Sequence, residues 1–110
     1  MTTEVTIEDL EQARTQGAQL VDVRESDEYA EAHVPGAQLM PLETVPARLH
    51  ELPSDSPVYV ICGSGGRSGQ AAEVLTRAGL DARSVAGGTT AWIRSGRPVA
   101  SGVPGDRQEG

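Results

Sequence analysis

Phenylalanine is absent from this sequence of 110 residues, and only three aromatic side chains are present, Tyr29, Tyr59 and Trp92. Because large rings are so few, the hydrophobic core must consist mainly of Val, Leu, Ile and Ala. The length corresponds to one domain, and a chain of this size buries a sufficient core without disulfides or metals. We therefore expect a single domain over residues 1–102. The remaining residues, 103–110, are polar and predict a flexible C-terminal tail.

An excess of positive charge is also missing, because the chain has 9 basic and 16 acidic side chains and a net charge of −7. This balance argues against a nucleic-acid partner and against an anionic membrane surface, since both require a basic face. No apolar run approaches the length that spans a bilayer. The N-terminal MTTEVTIEDL has neither a basic nor an apolar region and does not resemble a signal peptide. We expect a cytoplasmic monomer with no nucleic-acid or membrane partner.

Cysteine is nearly absent as well, since Cys62 is the only one in the chain. A single cysteine cannot form an intrachain disulfide, and we expect an exposed thiol that is prone to intermolecular disulfides on storage. One cysteine and two distant histidines do not form a set of metal ligands. The sequence therefore predicts neither a metal site nor a cofactor.

Short apolar runs alternate with helical patterns, which predicts an α/β fold. We expect an open, mostly parallel five-stranded sheet with helices on both faces. The predicted strands cover residues 3–6, 19–23, 37–40, 57–61 and 82–85. Thr6 is predicted to cap the first helix with Asp9 as its partner, and Ser26 to cap the second. A further helical segment is predicted over residues 42–50, and the last helix is predicted to open at Thr89 or Thr90.

The one cysteine stands between an apolar run and a glycine-rich stretch, in the sequence VYVICGSGGRSGQAAEVL over residues 58–75. A strand end, a loop with three glycines and a helix start together form an anion cradle, because backbone N–H groups then converge. Arg67 is the only charged side chain between Pro57 and Gln70, so we expect the loop to be locally positive. Such surroundings lower the pKa of a thiol, and Cys62 is predicted to be a nucleophilic thiolate.

Other readings of this loop fit the residue types less well. A lone cysteine is commonly a small buried hydrophobe, but this one coincides with a strand end, three glycines, an arginine and a helix start. A phosphate-binding P-loop ends in Gly-Lys-Ser/Thr, whereas this loop has Gly66, Arg67 and Ser68 at its end. A dinucleotide fingerprint would need glycine in place of Ser68.

Three motifs in this order resemble those of the single-domain rhodaneses, or rhodanese-like sulfurtransferases, over residues 5–99. The loop CGSGGRS (62–68) has the family's Cys-x4-Arg form, and LVDVRESDEYAEAHVPGA (20–37) and VAGGTTAWIRSGRPV (85–99) match the flanking signatures. The matching positions are Asp22, Arg24, Glu28, His33, Pro35, Gly36, Ala37, Gly87, Gly88 and Trp92.

The resemblance implies an enzyme that carries a sulfane sulfur as a cysteine persulfide. The Cys62 thiolate would take the outer sulfur of a small anionic donor, thiosulfate or another persulfide, and pass it to cyanide, a thiol or a protein. The expected substrate-binding residues are Gly63, Ser64, Gly65, Gly66, Arg67 and Ser68. Asp22 and Arg24 are expected to support the end of the sheet, with Arg24 paired to Glu28.

Two alternatives stay open. A non-enzymatic rhodanese-like module would dock a partner, but its hallmark is a lost cysteine, whereas Cys62 is present. Phosphatases and arsenate reductases of this fold use a loop one residue longer. The four residues between Cys62 and Arg67 therefore favour sulfur transfer over phosphate or arsenate chemistry.

Gly63 replaces the Arg or Lys of many small members, which predicts an open pocket mouth with room for a larger donor or acceptor. His33 is expected to be a turn residue rather than a base, and Trp92 a core residue or a lid.

Overall fold

The computed structural model describes residues 3–102, and the five strands in that range form one wholly parallel sheet. The strands are β1 (Thr3–Val5), β2 (Gln19–Asp22), β3 (Gln38–Leu39), β4 (Val58–Ile61) and β5 (Ala82–Val85). Their spatial order is β1-β5-β4-β2-β3, which places β4 at the centre. The predicted α/β architecture is thus confirmed, and the tail predicted for residues 103–110 lies outside the described residues.

Three α-helices and one 3-10 helix connect the strands, and a fourth α-helix follows β5. They are α1 (Ile7–Arg14), α2 (Ser26–Glu31), the 3-10 helix (Leu42–Glu51), α3 (Gly66–Arg77) and α4 (Gly88–Arg94). No helix within residues 3–102 combines the length and the apolarity that crossing a membrane requires.

The starts of α1 and α2 test the two predicted caps. Thr6 caps α1 as predicted, because its Oγ1 accepts the Asp9 N–H at 3.0 Å and the Asp9 carboxylate accepts the Thr6 N–H at 3.1 Å. The predicted cap at Ser26 is wrong, since the N-cap of α2 is Glu25. The N–H of Glu25 donates to the carboxylate of Glu28 at 2.9 Å. This bond satisfies one of the backbone donors that a helix start leaves unpaired.

Helices cover both faces of the sheet, as predicted, because successive side chains of a strand point to opposite sides. In β4, Val58 and Val60 join the core layer under α3 and the 3-10 helix, and Tyr59 and Ile61 join the layer under α1, α2 and α4. All four residues of β4 are buried, and such a continuous apolar run is typical of the central strand of a parallel sheet.

The central strand leads directly into the glycine-rich loop, because β4 ends at Ile61 and Cys62 follows it. The carboxyl ends of parallel strands are where sites form in such sheets. The start of α4 is fastened to the same loop, since the Thr89 N–H donates to the Cys62 carbonyl at 2.8 Å and the Thr90 N–H to the Gly63 carbonyl at 3.0 Å. Gly88 permits this approach: its φ is +56°, and a Cβ there would lie 2.4 Å from the Cys62 carbonyl oxygen.

Candidate active site

The sulfur of Cys62 is enclosed by the loop that follows it. The Gly65 N–H donates to Sγ at 3.1 Å, and the Ser68 Oγ lies 3.5 Å from Sγ. The backbone turns back toward the sulfur at Gly65, the N-cap of α3, whose φ of +127° strongly favours glycine. Sequence and structure therefore agree that residues 62–68 curl around the thiol at the start of a helix.

The expectation of an exposed thiol is wrong, because Cys62 is only 1% exposed. Its side chain belongs to the core layer that includes Val60 of β4 and Ala71 of α3. The loop and the first turn of α3 lie against the sulfur through Gly65 and Ser68, which composition alone does not reveal. A disulfide between two copies of the chain would require the loop to open.

Two opposing effects set the ionisation of the thiol. Burial raises the pKa of Cys62, but hydrogen bonds from the Ser68 side chain and from the backbone N–H groups of Ser68, Gly65 and Ser64 lower it. The hydrogen bonds prevail, so the pKa of Cys62 lies below its ordinary value of 9.0. The fixed backbone donors thus favour the thiolate in surroundings that would otherwise suppress it.

A chain of buried hydroxyl groups extends from the sulfur into the sheet. The Ser68 Oγ, which lies 3.5 Å from Sγ, is 2.8 Å from the Ser84 Oγ of β5. Both serines are almost fully buried. When Cys62 is a thiolate, Ser68 can donate its proton to the sulfur while Ser84 donates to Ser68. Sequence reasoning missed Ser84, although a serine within a short buried strand is a usable signal of a polar partner nearby.

The charge of Arg67 is neutralised by a carboxylate from α2. Glu28 accepts two hydrogen bonds from the guanidinium, Nη1 to Oε1 at 2.7 Å and Nη2 to Oε2 at 3.0 Å. The bond to Arg67, followed by the bond from the Glu25 N–H, lowers the pKa of Glu28 from 4.5 to about 2. The expectation of a locally positive loop is therefore wrong, because a carboxylate 39 residues away in sequence faces it.

The guanidinium of Arg67 lies over the first glycine of the loop. A Cβ on Gly63 would be 3.5 Å from Nη2 of Arg67. The space beside Gly63 is thus bordered by Arg67, and a Cβ at position 63 would make an ordinary van der Waals contact with its guanidinium.

Asp22 and Arg24 form a separate buried ion pair beside the loop. Arg24 donates Nε to Oδ1 at 3.0 Å and Nη2 to Oδ2 at 2.9 Å, and a further bond joins Nη2 to the Ala32 carbonyl at 2.8 Å. Arg24 therefore does not form the predicted pair with Glu28. Asp22 lies opposite Ile61 in the register of β2 and β4. The pair ties the end of β2 to the end of α2, near the start of the loop.

His33 and Trp92 contact structural partners. The ring of His33 stacks on Tyr29 with 3.6 Å between centroids, and its Nδ1 donates to the Tyr29 carbonyl at 2.7 Å. Trp92 is 4% exposed, lies in the core layer under α4, and donates Nε1–H to the Pro98 carbonyl at 2.7 Å. Trp92 is thus a core residue rather than a lid.

Among residues 3–102 no group of three His, Cys, Asp or Glu side chains is placed to hold a metal ion.

The fold and the loop together define a known class of domain. The family model of the rhodanese-like domain matches residues 6–95. The chain belongs to this family.

Individual relatives are similar over most of the chain. A sulfurtransferase of Allochromatium vinosum is 36% identical over 104 residues, which cover 92% of this chain and 97% of the relative. The protein YqhL of Bacillus subtilis is 40% identical over 76 residues, 68% of this chain and 60% of YqhL. The crystal structure of a rhodanese-related protein from Thermoplasma volcanium has a TM-score of 0.82 at 30% identity and covers 89% of this chain and 97% of that one. The family match and the sulfurtransferase relative support sulfur transfer as the general activity.

Proposed function

We propose that the protein is a sulfurtransferase that carries a sulfane sulfur as a persulfide on Cys62. The donor is thiosulfate or another persulfide, and the acceptor is cyanide, a thiol or a protein. One observation carries the proposal: the Gly65 N–H donates to Sγ at 3.1 Å, within a set of donors that lowers the pKa of the buried thiol. A buried thiol without such donors would stay protonated and unreactive.

The loading step follows from the nucleophilic thiolate. The Cys62 sulfur attacks the outer sulfur of thiosulfate, the new bond joins the two sulfurs, and the former S–S bond breaks with its electron pair leaving on sulfite. The product is a persulfide anion on Cys62. Loop residues 63–68 bind first the donor and then this anion, because their backbone N–H groups are already oriented before the charge arrives.

The proposed support residues hold the loop rather than touch the donor. The buried Asp22–Arg24 pair is joined by two parallel hydrogen bonds, and removal of either partner would leave an uncompensated buried charge. We assign to it the task of keeping the end of β2 in place beside β4.

Sulfur uptake tests the proposal directly. Reduced protein is incubated with thiosulfate and, separately, with a low-molecular-weight persulfide, and then measured by intact mass and by cyanolysis. We expect a gain of one sulfur atom that cyanide or a reducing thiol removes, and no gain in Cys62→Ser. Ser54→Ala, in an exposed loop, serves as the matched control and should load like the wild type. A folded wild-type protein that takes up sulfur from neither donor would refute the proposal.

A further inference from the structure

The arginines within residues 3–102 differ in their partners. Seven of the eight form an ion pair or a hydrogen bond in this part of the chain: Arg14 with the Pro35 carbonyl, Arg24 with Asp22, Arg48 with Glu51, Arg67 with Glu28, Arg77 with Glu73, Arg83 with Asp81 and Arg97 with Glu11. Arg94 has no such partner among these residues. Arg94 is exposed, and in the whole sequence the acidic side chains outnumber the basic ones by 16 to 9.

Arg94 lines a groove that begins at the glycine-rich loop. The groove has a volume of about 500 Å³ and is lined by Ser64, Gly87, Thr90, Ala91, Arg94 and Ser95. Ser64 lies two residues after the reactive cysteine, and the N–H of Thr90 is bonded to the loop. Thr90 and Arg94 are four residues apart on α4, so they share a face and are separated by about 6 Å along the helix axis. The groove therefore leads from the loop to a guanidinium that has no partner among residues 3–102.

The other arginine at the loop is not available to bind an anion in the same way. Both terminal nitrogens of Arg67 are bonded to the carboxylate of Glu28, at 2.7 and 3.0 Å. A substrate anion would have to displace that carboxylate before it could pair with Arg67. Arg94 requires no such exchange within the described part of the chain.

We propose that this groove binds a low-molecular-weight thiol that bears a carboxylate, with the carboxylate paired to Arg94 and the sulfur at the loop. The proposal rests on the sulfurtransferase function and names the class of its acceptor. Ala91 and the methyl group of Thr90 offer apolar contacts for the carbon chain between the two ends. Charge complementarity selects the occupant, because the guanidinium binds carboxylates through parallel hydrogen bonds.

The transfer step is balanced without a further reactant. The bound thiol loses its proton to water, and its thiolate attacks the outer sulfur of the Cys62 persulfide. A bond forms between the thiol sulfur and the outer sulfur, while the bond from the outer sulfur to Sγ breaks. The electron pair stays on Sγ, which the Gly65 N–H and Ser68 stabilise as a thiolate. The small thiol leaves as its persulfide.

The test compares two acceptors that share a thiol but differ in charge, glutathione and its diethyl ester. Protein preloaded with sulfur is mixed with each acceptor, and persulfide loss is followed in a single turnover. Arg94→Gln should slow transfer to glutathione by about fivefold, the scale of one exposed ion pair, and leave transfer to the ester unchanged. Arg94→Lys should recover part of the loss, and salt should reduce the effect, since it screens exposed charges. Arg77→Gln, which removes the same charge from an exposed site on α3, should behave like the wild type.

The possible outcomes separate this proposal from the proposed function. Equal rates with glutathione for Arg94→Gln and Arg77→Gln would overturn the role of Arg94. Equal slowing with glutathione and with the ester would also overturn it, because the residue would then act through structure rather than charge. Failure of the wild type to load any sulfur would instead refute the sulfurtransferase function itself.

Discussion

Replacement of Glu28 by Gln removes the charge that pairs with Arg67 and keeps the size of the side chain. In the folded protein the pKa of Glu28 is lowered from 4.5 to about 2, first by its bond to Arg67 and then by its bond from the Glu25 N–H. A fall of that size corresponds to roughly 3 kcal/mol in favour of the ionised form. Both side chains of the pair are 38% exposed, so solvent screening reduces the expected contribution to about 1 kcal/mol.

The pH dependence of this contribution has a definite sign. Because the pKa of Glu28 is lower in the folded state than in the unfolded chain, its ionised form stabilises the fold. The contribution is fully present above about pH 4.5 and is lost as the pH falls toward about 2. The difference in unfolding free energy between wild type and Glu28→Gln should therefore be about 1 kcal/mol at neutral pH and should shrink under acid conditions.

Urea unfolding measures this difference, with the fluorescence of the buried Trp92 as the signal. Curves are recorded for wild type and Glu28→Gln at neutral pH and at several acid values. Glu31→Gln provides the matched control, because it removes the same charge from an exposed position of the same helix. Equal stability of Glu28→Gln and Glu31→Gln at neutral pH would refute the reasoning. A difference that persisted unchanged into strong acid would refute it too.

Three further substitutions test the surroundings of the sulfur. Ser68→Ala should raise the pKa of Cys62, because the Ser68 hydroxyl favours the thiolate; the pH profile of thiol alkylation measures this, and an unshifted profile contradicts it. Arg67→Ala should also raise the pKa of Cys62 and weaken donor binding, because it removes a cation and leaves the Glu28 carboxylate without its partner. The pH profile of alkylation measures the first effect, and the rate of sulfur loading measures the second. Gly88→Ala should destabilise the fold by about 2 kcal/mol or more, because its Cβ would lie 2.4 Å from the Cys62 carbonyl oxygen. Gly79→Ala, also at positive φ but in open space, should cost less in the same urea experiment.

The elements of the fold could be read from the sequence wherever the signal was local. The β-branched residues of 57–61 predicted a strand, which the structure has as β4 (Val58–Ile61), and Thr6 with Asp9 predicted the start of α1. The segment predicted as helical over residues 42–50 is a 3-10 helix, Leu42–Glu51, with Pro46 inside it. Proline lacks the N–H that an α-helical interior requires, which gives a physical reason for the difference.

The site was predictable only in its contiguous part. The conformation of residues 62–68 is predictable from the local sequence, because it depends on glycines that stand between a strand end and a helix start. The partners that define the charge and the hydrogen bonding are distant: Glu28 lies 39 residues before Arg67, and Ser84 lies 16 residues after Ser68. Only the packing of α2 and β5 around β4 brings them to the loop. A single sequence does not identify such partners, although a serine in a buried strand indicates that some polar partner is near.

The Arg67–Glu28 ion pair has no net charge, so Arg67 contributes less to the stabilisation of a negative charge at the sulfur than an unpaired arginine would. Because the carboxylate offsets the guanidinium, short-range donors such as the Gly65 N–H at 3.1 Å carry most of the interaction with an anion. Backbone N–H groups interact strongly only with atoms within hydrogen-bonding distance. The net charge of −7 acts at longer range and repels approaching anions, and it repels a dianion more strongly than a monoanion. We therefore expect a site of this kind to favour a sulfur anion that is small and singly charged where it meets the loop. We also expect it to favour substrates whose remaining charge is met elsewhere, for example by Arg94 in the neighbouring groove, which has no partner among the described residues.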